Sequence, residues 1–396
     1  MPISSRCSLH SRWRSLAASV LAGLVVVAPA MLATRSASAS PASYKVVANL
    51  EGFSQPFGIA VSPNGSAIWV ANKGGGSVIE VSPTPTPHIV ATIGGLGSPT
   101  DLVLDPTGAY LWVTDATRGV VEEISTAASP HVMASVTGFT QPGGIAYDAV
   151  TNSVWVADQA TGDVAEITPG LSPSLTNVVT GFTHPAGLCV SPDGSTIWVA
   201  DKGANAVSSI SATTSPPAIT NTITGFSGPV GITALANGHV WVSNFGGTTI
   251  SEVTPGSPPT ITATISGFIA PVGITYSATS NALWVAAIAQ GTVLSINPTT
   301  QHIVAKVGGA SEPAGIAVAP NGTIWVTNYA GTTLSEISLV ATPMTTTTLP
   351  ATTTTEVLPH TGSPISNASL LGGTLTLLGT LLVAARHRYV RRRLYR

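Results

Sequence analysis

Short apolar runs separated by turn-forming residues are the dominant pattern in the central part of the chain. In the first such unit, the apolar run 59–61 leads through a turn at 62–65 to the run 68–71. A glycine-rich turn at 72–76 precedes the run 78–81, and a proline-rich connection leads to the run 89–93. Runs of this length between Gly, Pro and Asn clusters are typical of β-strands joined by tight turns. The unit therefore predicts a four-stranded antiparallel sheet.

The unit recurs seven times. One tryptophan in its second strand marks each copy, at spacings of 43 residues and finally 41: Trp69, Trp112, Trp155, Trp198, Trp241, Trp284 and Trp325. A proline precedes each tryptophan by twelve or thirteen residues. A period of this size is typical of β-propellers, in which each repeat forms one blade. We predict an all-β fold, a seven-bladed β-propeller over residues 40–340, with the tryptophans packed between adjacent blades as structural residues.

The ends of the repeat region predict how the ring closes. The seventh copy ends near residue 337, before a fourth strand, whereas residues 44–50 form a strand that belongs to no copy. An N-terminal strand that completes the last blade would leave no open seam. Each first strand also carries a small residue, which we attribute to crowding at the propeller axis: Ala60, Val103, Ala146, Cys189, Thr233, Thr275 and Ala317. Cys189 is therefore interpreted as a packing residue.

Two segments, Trp-Val-Ala-Asn-Lys-Gly at 69–74 and Trp-Val-Thr-Asn-Tyr at 325–329, resemble YVTN-type and NHL-type β-propeller repeats, with Trp in place of the first Tyr. The resemblance covers residues 44–340. It implies a propeller that acts as an extracellular or scaffold-like binding module, and it implies no reaction.

Residues 1–39 have the organisation of a secretory signal peptide. Arginines between 6 and 14 precede the apolar stretch 16–32, and small residues at 36–39 predict cleavage after Ala39. A permanent N-terminal membrane anchor is the alternative. Cleavage would remove Cys7 and leave Cys189 as the single cysteine, so no internal disulfide is expected.

The C-terminal region 358–396 carries a pentapeptide, an apolar stretch and a basic tail, in that order. The pentapeptide is Leu358, Pro359, His360, Thr361 and Gly362. The stretch 365–385 spans about 32 Å as a helix, enough to cross a bilayer core, and six arginines follow it. This order resembles the LPxTG cell-wall sorting signal of Gram-positive bacteria, in which sortase cleaves between Thr and Gly and joins Thr to the peptidoglycan precursor.

That resemblance implies a secreted protein covalently attached to the cell wall through Thr361. Its partners would be sortase and the peptidoglycan precursor, with membrane contact through the helix 365–385 before sorting. A single-pass membrane anchor with an extracellular propeller is the alternative. Residues 341–357 contain nine Thr and two Pro, a composition that cannot bury a core and that indicates a stalk.

The charge of the propeller segment limits the class of partner. Residues 40–340 contain five basic and sixteen acidic residues, a net charge of −11. Such an acidic body repels phosphate backbones, so no nucleic-acid partner is expected.

The loops that follow the tryptophan strands indicate a ligand face. The third residue after each tryptophan is Asn72, Asp115, Asp158, Asp201, Asn244, Ala287 or Asn328, and the Pro-x-Gly loops between blades lie on the same face. The second copy has Asp101 in place of this glycine, and His184 is the histidine in a loop of this face. Lys73, Arg118, Gln159 and Lys202 form a polar half, and Phe245, Ile288 and Tyr329 an apolar half.

The candidate ligand-face residues are therefore Asp101, Asp115, Asp158, Asp201, His184, Phe245 and Tyr329. Such a face suits a carbohydrate or an extended peptide. The alternative is that the Asp and Asn residues only cap their turns. Three carboxylates on three blades make a poor Ca²⁺ cage, so we predict no metal and no cofactor.

Three functions are compatible with the sequence, and it favours a binding or adhesion module for an unknown extracellular glycan or protein. A lyase or hydrolase is the alternative, because the streptogramin lyases are similar seven-bladed propellers whose mechanism uses His and Glu side chains with Mg²⁺. Here His88, His131 and His302 precede outer strands and His239 lies in a hairpin on the opposite rim, so no catalytic residue is predicted. A structural coat component that self-associates is the third possibility.

Overall fold

The computed structural model describes residues 43–340, which form an all-β, seven-bladed β-propeller as predicted. Twenty-eight strands make seven sheets of four antiparallel strands, and the helical residues of this region are confined to two short 3₁₀ turns, Lys73–Gly75 and Ile288–Gln290. In blades 1 to 6, successive strands pair in chain order from the axis outwards, whereas in blade 7 the N-terminal strand supplies the fourth position.

The strand bounds follow the repeat. Blade 1 contains β2 (Pro56–Val61), β3 (Ile68–Asn72), β4 (Ser77–Ser82) and β5 (His88–Ile93). Blade 2 contains β6 (Pro99–Leu104), β7 (Tyr110–Asp115), β8 (Val120–Ser125) and β9 (His131–Thr137). Blade 3 contains β10 (Pro142–Asp148), β11 (Ser153–Asp158), β12 (Asp163–Thr168) and β13 (Ser174–Thr180). Blade 4 contains β14 (Pro185–Val190), β15 (Thr196–Asp201), β16 (Ala206–Ser211) and β17 (Ala218–Thr224).

The remaining blades repeat the same order. Blade 5 contains β18 (Pro229–Ala234), β19 (Val240–Asn244), β20 (Thr249–Thr254) and β21 (Thr260–Ser266). Blade 6 contains β22 (Pro271–Ser277), β23 (Ala282–Ala287), β24 (Thr292–Asn297) and β25 (His302–Gly308). Blade 7 contains β26 (Pro313–Val318), β27 (Ile324–Asn328), β28 (Thr333–Val340) and the N-terminal strand β1 (Ser43–Glu51).

Strand β1 closes the ring. It pairs antiparallel with β28, from Ser43 opposite Val340 to Glu51 opposite Thr333, with an irregularity between Val46 and Ala48. The order β1-β28-β27-β26 gives the last blade its fourth strand. All strand pairs that close the ring therefore lie within residues 43–340, and this segment contains its complete core.

The seven tryptophans lie between blades. Their side chains are almost completely buried, at most 4% exposed. Each belongs to a core cluster that also contains aliphatic residues of the following blade. Trp155 of blade 3 packs with Leu188 and Ile197 of blade 4. Trp325 of blade 7 packs with Ile68 of blade 1, which shows that the same contact also joins the last blade to the first.

The small residues of the first strands have a different role from the one expected. Each lies directly opposite a tryptophan in the strand register, as Ala60 does opposite Trp69 and Cys189 opposite Trp198. They make room for the indole, so the explanation by crowding at the axis was wrong. The crowding falls instead on the glycines of the Pro-x-Gly segments, because a Cβ at Gly187 would lie 2.2 Å from the carbonyl oxygen of Val230 in the next blade.

The predicted signal peptide 1–39, stalk 341–357 and sorting region 358–396 lie outside the described residues. Within residues 43–340, no helix is long and apolar enough to span a bilayer.

Candidate functional site

A cavity lies at the propeller axis, and we call it the axial cavity. Its volume is about 430 Å³, and first-strand residues of all seven blades line it. Side chains from the turns between second and third strands also line it in every blade except the second. The cavity therefore belongs to the face that carries these turns, and its size falls within the range of roughly 300–1,000 Å³ found for small-molecule sites.

Four consecutive blades give the cavity a continuous apolar arc, formed by Phe245, Ile288, Tyr329 and Phe57 of blades 5, 6, 7 and 1. The rings of Phe57 and Tyr329 meet edge to face, with centroids 5.8 Å apart. The residues after the first-strand glycines also line the cavity in five blades, and we call them the aliphatic floor: Ile59, Leu188, Ile232, Ile274 and Ile316. Phe57 and the floor residues were not predicted from the sequence. Their signal was the position in the repeat, since Phe57 is the variable residue of a Pro-x-Gly segment and each floor residue follows the glycine of such a segment.

A lysine stands at each end of the apolar arc. The Nζ of Lys73 lies 5.3 Å from the ring centroid of Phe57, and the Nζ of Lys202 lies 5.0 Å from that of Phe245. Both contacts are cation–π interactions, which hold an ammonium group against a ring face. Neither lysine forms a salt bridge with any residue in the range 43–340.

Arg118, which the sequence placed on the polar half of this face, does not line the cavity. Arg118 is the sixth residue after the tryptophan of its blade, whereas Lys73 and Lys202 are the fourth after theirs. The Nη1 of Arg118 pairs with Glu122 Oε1 at 2.7 Å. Its charge is therefore matched within blade 2.

Asp101 lines the axial cavity where the other blades have glycine. Its Oδ1 accepts a hydrogen bond from the Leu102 N–H at 2.9 Å. A Cβ at the neighbouring Gly58 would lie 2.8 Å from this oxygen, so the glycine leaves the space that the carboxylate fills. Burial raises the pKa of Asp101 to about 7, against the opposing effect of the Leu102 and Ile145 backbone hydrogen bonds. The carboxyl group is consequently poised between its neutral and charged forms near neutral pH.

His184, the residue immediately before the first strand of blade 4, also lines the cavity. Its Nδ1 lies 3.1 Å from the carbonyl oxygen of Gln159, an arrangement that requires a hydrogen on Nδ1. In the neutral imidazole, Nε2 is then the acceptor. Its backbone N–H donates to Asp201 Oδ1 at 2.9 Å, which fixes the loop that carries the ring.

The other three predicted carboxylates, Asp115, Asp158 and Asp201, do not line the cavity. They are buried, and each accepts hydrogen bonds from two backbone N–H groups of the loop that enters its own blade. For Asp115 these donors are Gly97 at 2.7 Å and Ser98 at 2.9 Å. The three carboxylates therefore fasten loops. Of the predicted ligand-face residues, the fold brings Asp101, His184, Phe245 and Tyr329 together at the cavity.

Blade 6 lacks this fastening, because Ala287 stands at the corresponding position. Two buried oxygens in its turn region, Gln290 Oε1 and Thr292 Oγ1, have no hydrogen-bond partner. In blade 1, by contrast, Asn72 Nδ2 donates to Ser77 Oγ at 3.0 Å, and Thr292 is the counterpart of Ser77. The orphaned hydroxyl is thus the direct consequence of the missing amide.

The residues of the cavity do not fit the Mg²⁺ site with His and Glu side chains that a resemblance to streptogramin lyases implies. His184 is the single histidine among the lining residues, and no glutamate is among them. His239 pairs with Glu252 at 2.8 Å, but neither residue lines the cavity. Across residues 43–340, no three His, Cys, Asp or Glu side chains group closely enough to hold a metal ion.

Cys189 is a free thiol in the packing between blades 4 and 5. Burial raises its pKa, which disfavours the thiolate and hence nucleophilic reactivity.

Solved structures with the same fold include virginiamycin B lyase from Staphylococcus aureus, which is 18% identical, with a TM-score of 0.63 over 75% of this chain and 100% of that chain. A catalytically inactive form of that lyase with quinupristin is 19% identical, with a TM-score of 0.63 over 75% of this chain and 100% of that one. Hydrazine synthase from Kuenenia stuttgartiensis is 15% identical, with a TM-score of 0.64 over 74% of this chain and 98% of that chain. Likeness at these identities shows the fold alone.

No curated protein sequence matches the chain significantly. The model of one protein family, described as the virginiamycin B lyase family, matches residues 43–335, almost the whole of the seven blades. By this match, the chain belongs to the virginiamycin B lyase family.

Proposed function

We propose that the protein is an extracellular binding module whose axial cavity takes a carbohydrate or protein ligand. The observation that carries this proposal is the cavity of about 430 Å³, which combines an apolar arc and an aliphatic floor with a few polar groups. Ligand sites typically have this composition, because apolar walls supply affinity while isolated polar groups fix orientation. Two of these polar groups, the side chains of Asp101 and His184, are hydrogen-bonded to the backbone and are therefore held in place to orient a ligand.

The test is ligand binding by a chain of residues 40–340, which contains the whole ring. It is screened against glycans, matrix proteins and wall components, and the affinity of a hit is measured by calorimetry. The Phe245→Ala/Tyr329→Ala double variant removes two side chains of the apolar arc, and we expect its affinity to fall at least about tenfold. Tyr110→Ala is the matched control, because Tyr110 is 40% exposed but does not line the cavity. Undiminished binding by the double variant would contradict the proposal.

Family membership favours a lyase as the second candidate function. In that case Asp101 would be the group best suited to proton transfer near neutral pH, because burial raises its pKa to about 7. Quinupristin is the substrate to try, since it accompanies the inactive lyase of known structure. The conversion of quinupristin is followed by chromatography. If the wild-type chain converts quinupristin and Asp101→Asn does not, the protein is a lyase and the binding proposal is wrong.

We further propose that the protein is exported by residues 1–39 and joined to the cell wall through Thr361. The order of pentapeptide, apolar stretch and basic tail supports this address. In a Gram-positive host, Thr361→Ala is expected to move the protein from the wall fraction to the membrane fraction. Thr352→Ala, in the neighbouring Leu-Pro-Ala-Thr segment, is the control and should leave the wall fraction unchanged. Wild-type protein that is confined to the membrane would instead favour the single-pass anchor.

A structural coat component predicts self-association without any ligand. Analytical ultracentrifugation of residues 40–340 tests this: self-association together with no ligand in the binding screen would favour the coat component.

A further inference from the structure

The basic residues of the propeller are distributed unevenly. Residues 40–340 contain only five: Lys45, Lys73, Arg118, Lys202 and Lys306. Two of these, Lys73 and Lys202, line the axial cavity, although the segment as a whole carries a net charge of −11. The cavity is therefore a local positive site in an acidic protein.

Both cavity lysines lack an anionic partner. No carboxylate of residues 43–340 lies within salt-bridge distance of either ammonium group, whereas Arg118 pairs with Glu122 at 2.7 Å. The rings of Phe57 and Phe245 hold the two ammonium groups at the ends of the apolar arc. An oriented, unpaired ammonium group beside apolar surface is suited to a ligand that has both an anionic group and an apolar part.

The rest of the wall indicates what that apolar part is. The five side chains of the aliphatic floor offer branched hydrocarbon and no hydrogen-bond donor or acceptor. A sugar ring carries hydroxyl groups around its edge, and these would lose their hydrogen bonds to water on such a floor. An aliphatic or aromatic amino-acid side chain loses nothing comparable there, so a peptide fits this floor better than a sugar does.

From these contacts we propose that the axial cavity recognises the C-terminal carboxylate of a peptide whose last side chain is apolar. One of the two ammonium groups, Lys73 at one end of the apolar arc or Lys202 at the other, pairs with the carboxylate. The terminal side chain then occupies the space between the apolar arc and the aliphatic floor. This inference rests on the proposed binding function and specifies the ligand class of the same cavity.

The test compares acetyl-Leu-Phe with a free carboxylate and the same peptide as its C-terminal amide, by calorimetry with residues 40–340. The measurement is made near pH 6, where the Asp101 carboxyl, with its pKa of about 7, is mostly neutral. We expect the acid to bind at least about tenfold more tightly than the amide, the ratio that one charge-assisted hydrogen bond supplies. In the Lys73→Gln/Lys202→Gln double variant this preference should disappear, and circular dichroism should show an unchanged fold.

Lys306→Gln is the matched control, because Lys306 is an exposed lysine of the outer strand β25, outside the cavity. It should keep the full preference for the acid. Equal binding of acid and amide by the wild-type chain would overturn the carboxylate proposal, and so would a preference that persists in the double lysine variant.

A uronic acid disaccharide is tested in parallel, because it carries a carboxylate on a sugar. If it binds with the same lysine dependence while the peptide acid does not bind, the peptide assignment is overturned and the cavity remains a binding site. If neither probe binds but a ligand from the wider screen binds through Phe245 and Tyr329, only the present inference fails.

Discussion

Blade 6 can be given the loop fastening that blade 1 already has, and the structure supplies the template. Both blades form a 3₁₀ turn after the second strand and end it at a glycine with positive φ, Gly76 at 57° and Gly291 at 61°. In blade 1, Asn72 Oδ1 accepts from the Ser54 N–H at 2.5 Å, and its Nδ2 donates to Ser77 Oγ at 3.0 Å. Ala287 of blade 6 makes neither bond and leaves the hydroxyl of Thr292 without a partner.

The substitution must be a double one. In blade 1, a Cβ on Gly75 would lie 2.1 Å from Asn72 Nδ2, so this amide requires glycine three residues later. The counterpart of Gly75 in blade 6 is Gln290. Ala287→Asn/Gln290→Gly should form two hydrogen bonds, each contributing about 1 kcal/mol, and should satisfy the buried Thr292 hydroxyl. The added glycine costs roughly 0.5–1 kcal/mol, so we expect the free energy of unfolding to rise by about 1–1.5 kcal/mol.

The assay is urea unfolding of residues 40–340, with tryptophan fluorescence as the signal. Asn72→Ala is the mirror-image control, since it removes the same two bonds from blade 1 and should destabilise the chain by about 1–2 kcal/mol. Ala287→Asn alone should gain little, because Gln290 obstructs the amide. The reasoning is refuted if Asn72→Ala destabilises as expected while the double variant is no more stable than the wild type.

Three further predictions concern the packing and charge of the ring. Trp198→Ala should lower the free energy of unfolding by about 3–5 kcal/mol, because its indole packs against Ile232 and Val242 of the next blade, and an unchanged urea midpoint would contradict this. Ser243→Ala should lower the free energy of unfolding by about 1–2 kcal/mol, because the Ser243 hydroxyl accepts from the Gly231 N–H at 2.8 Å and donates to the Val272 carbonyl oxygen of the next blade at 2.6 Å. Ser243→Thr should leave the stability unchanged, since Thr327 makes the equivalent two hydrogen bonds in blade 7. Asp101→Asn should be more stable than the wild type at pH 8 but not at pH 4, because a carboxyl whose pKa rises on folding contributes stability below its ordinary pKa and loses it as the pH rises towards 7. The shift of the Asp101 pKa from 3.8 to about 7 limits the gain in the free energy of unfolding at pH 8 to about 4 kcal/mol. The buried carboxyl is not the cause if the gain is independent of pH, or if Asp193→Asn, at an exposed aspartate, gives the same gain.

The blade count and the ring closure were predictable because both depend on patterns that are local in the chain. One tryptophan per repeat and the alternation of apolar runs with turns define each sheet. The unpaired strand at 44–50 and the missing fourth strand at the other end leave one simple pairing, which β1 and β28 make. The replacement of glycine by Asp101 was likewise visible, because the other six repeats show what the position normally holds.

The partners of the charged groups were not visible in the sequence. Asp115 and Asp158 follow their tryptophans in the same way as Asn72 does, yet whether such a side chain faces a ligand or a loop depends on the backbone folded over it. Arg118 and Lys202 both occupy turns of the same face, but only the lysine reaches the cavity, because the position along the turn sets the direction of the side chain.

By itself, the sequence determined an acidic, seven-bladed ring, since periodic patterning and composition are properties of the chain alone. Only the tertiary structure decided that Phe57, Tyr329 and Phe245 form one apolar arc with a lysine at each end. Phe57 and Tyr329 stand at opposite ends of the repeat region, and they meet because the ring closes. The contact between them, and the cavity that they line, are consequences of that closure.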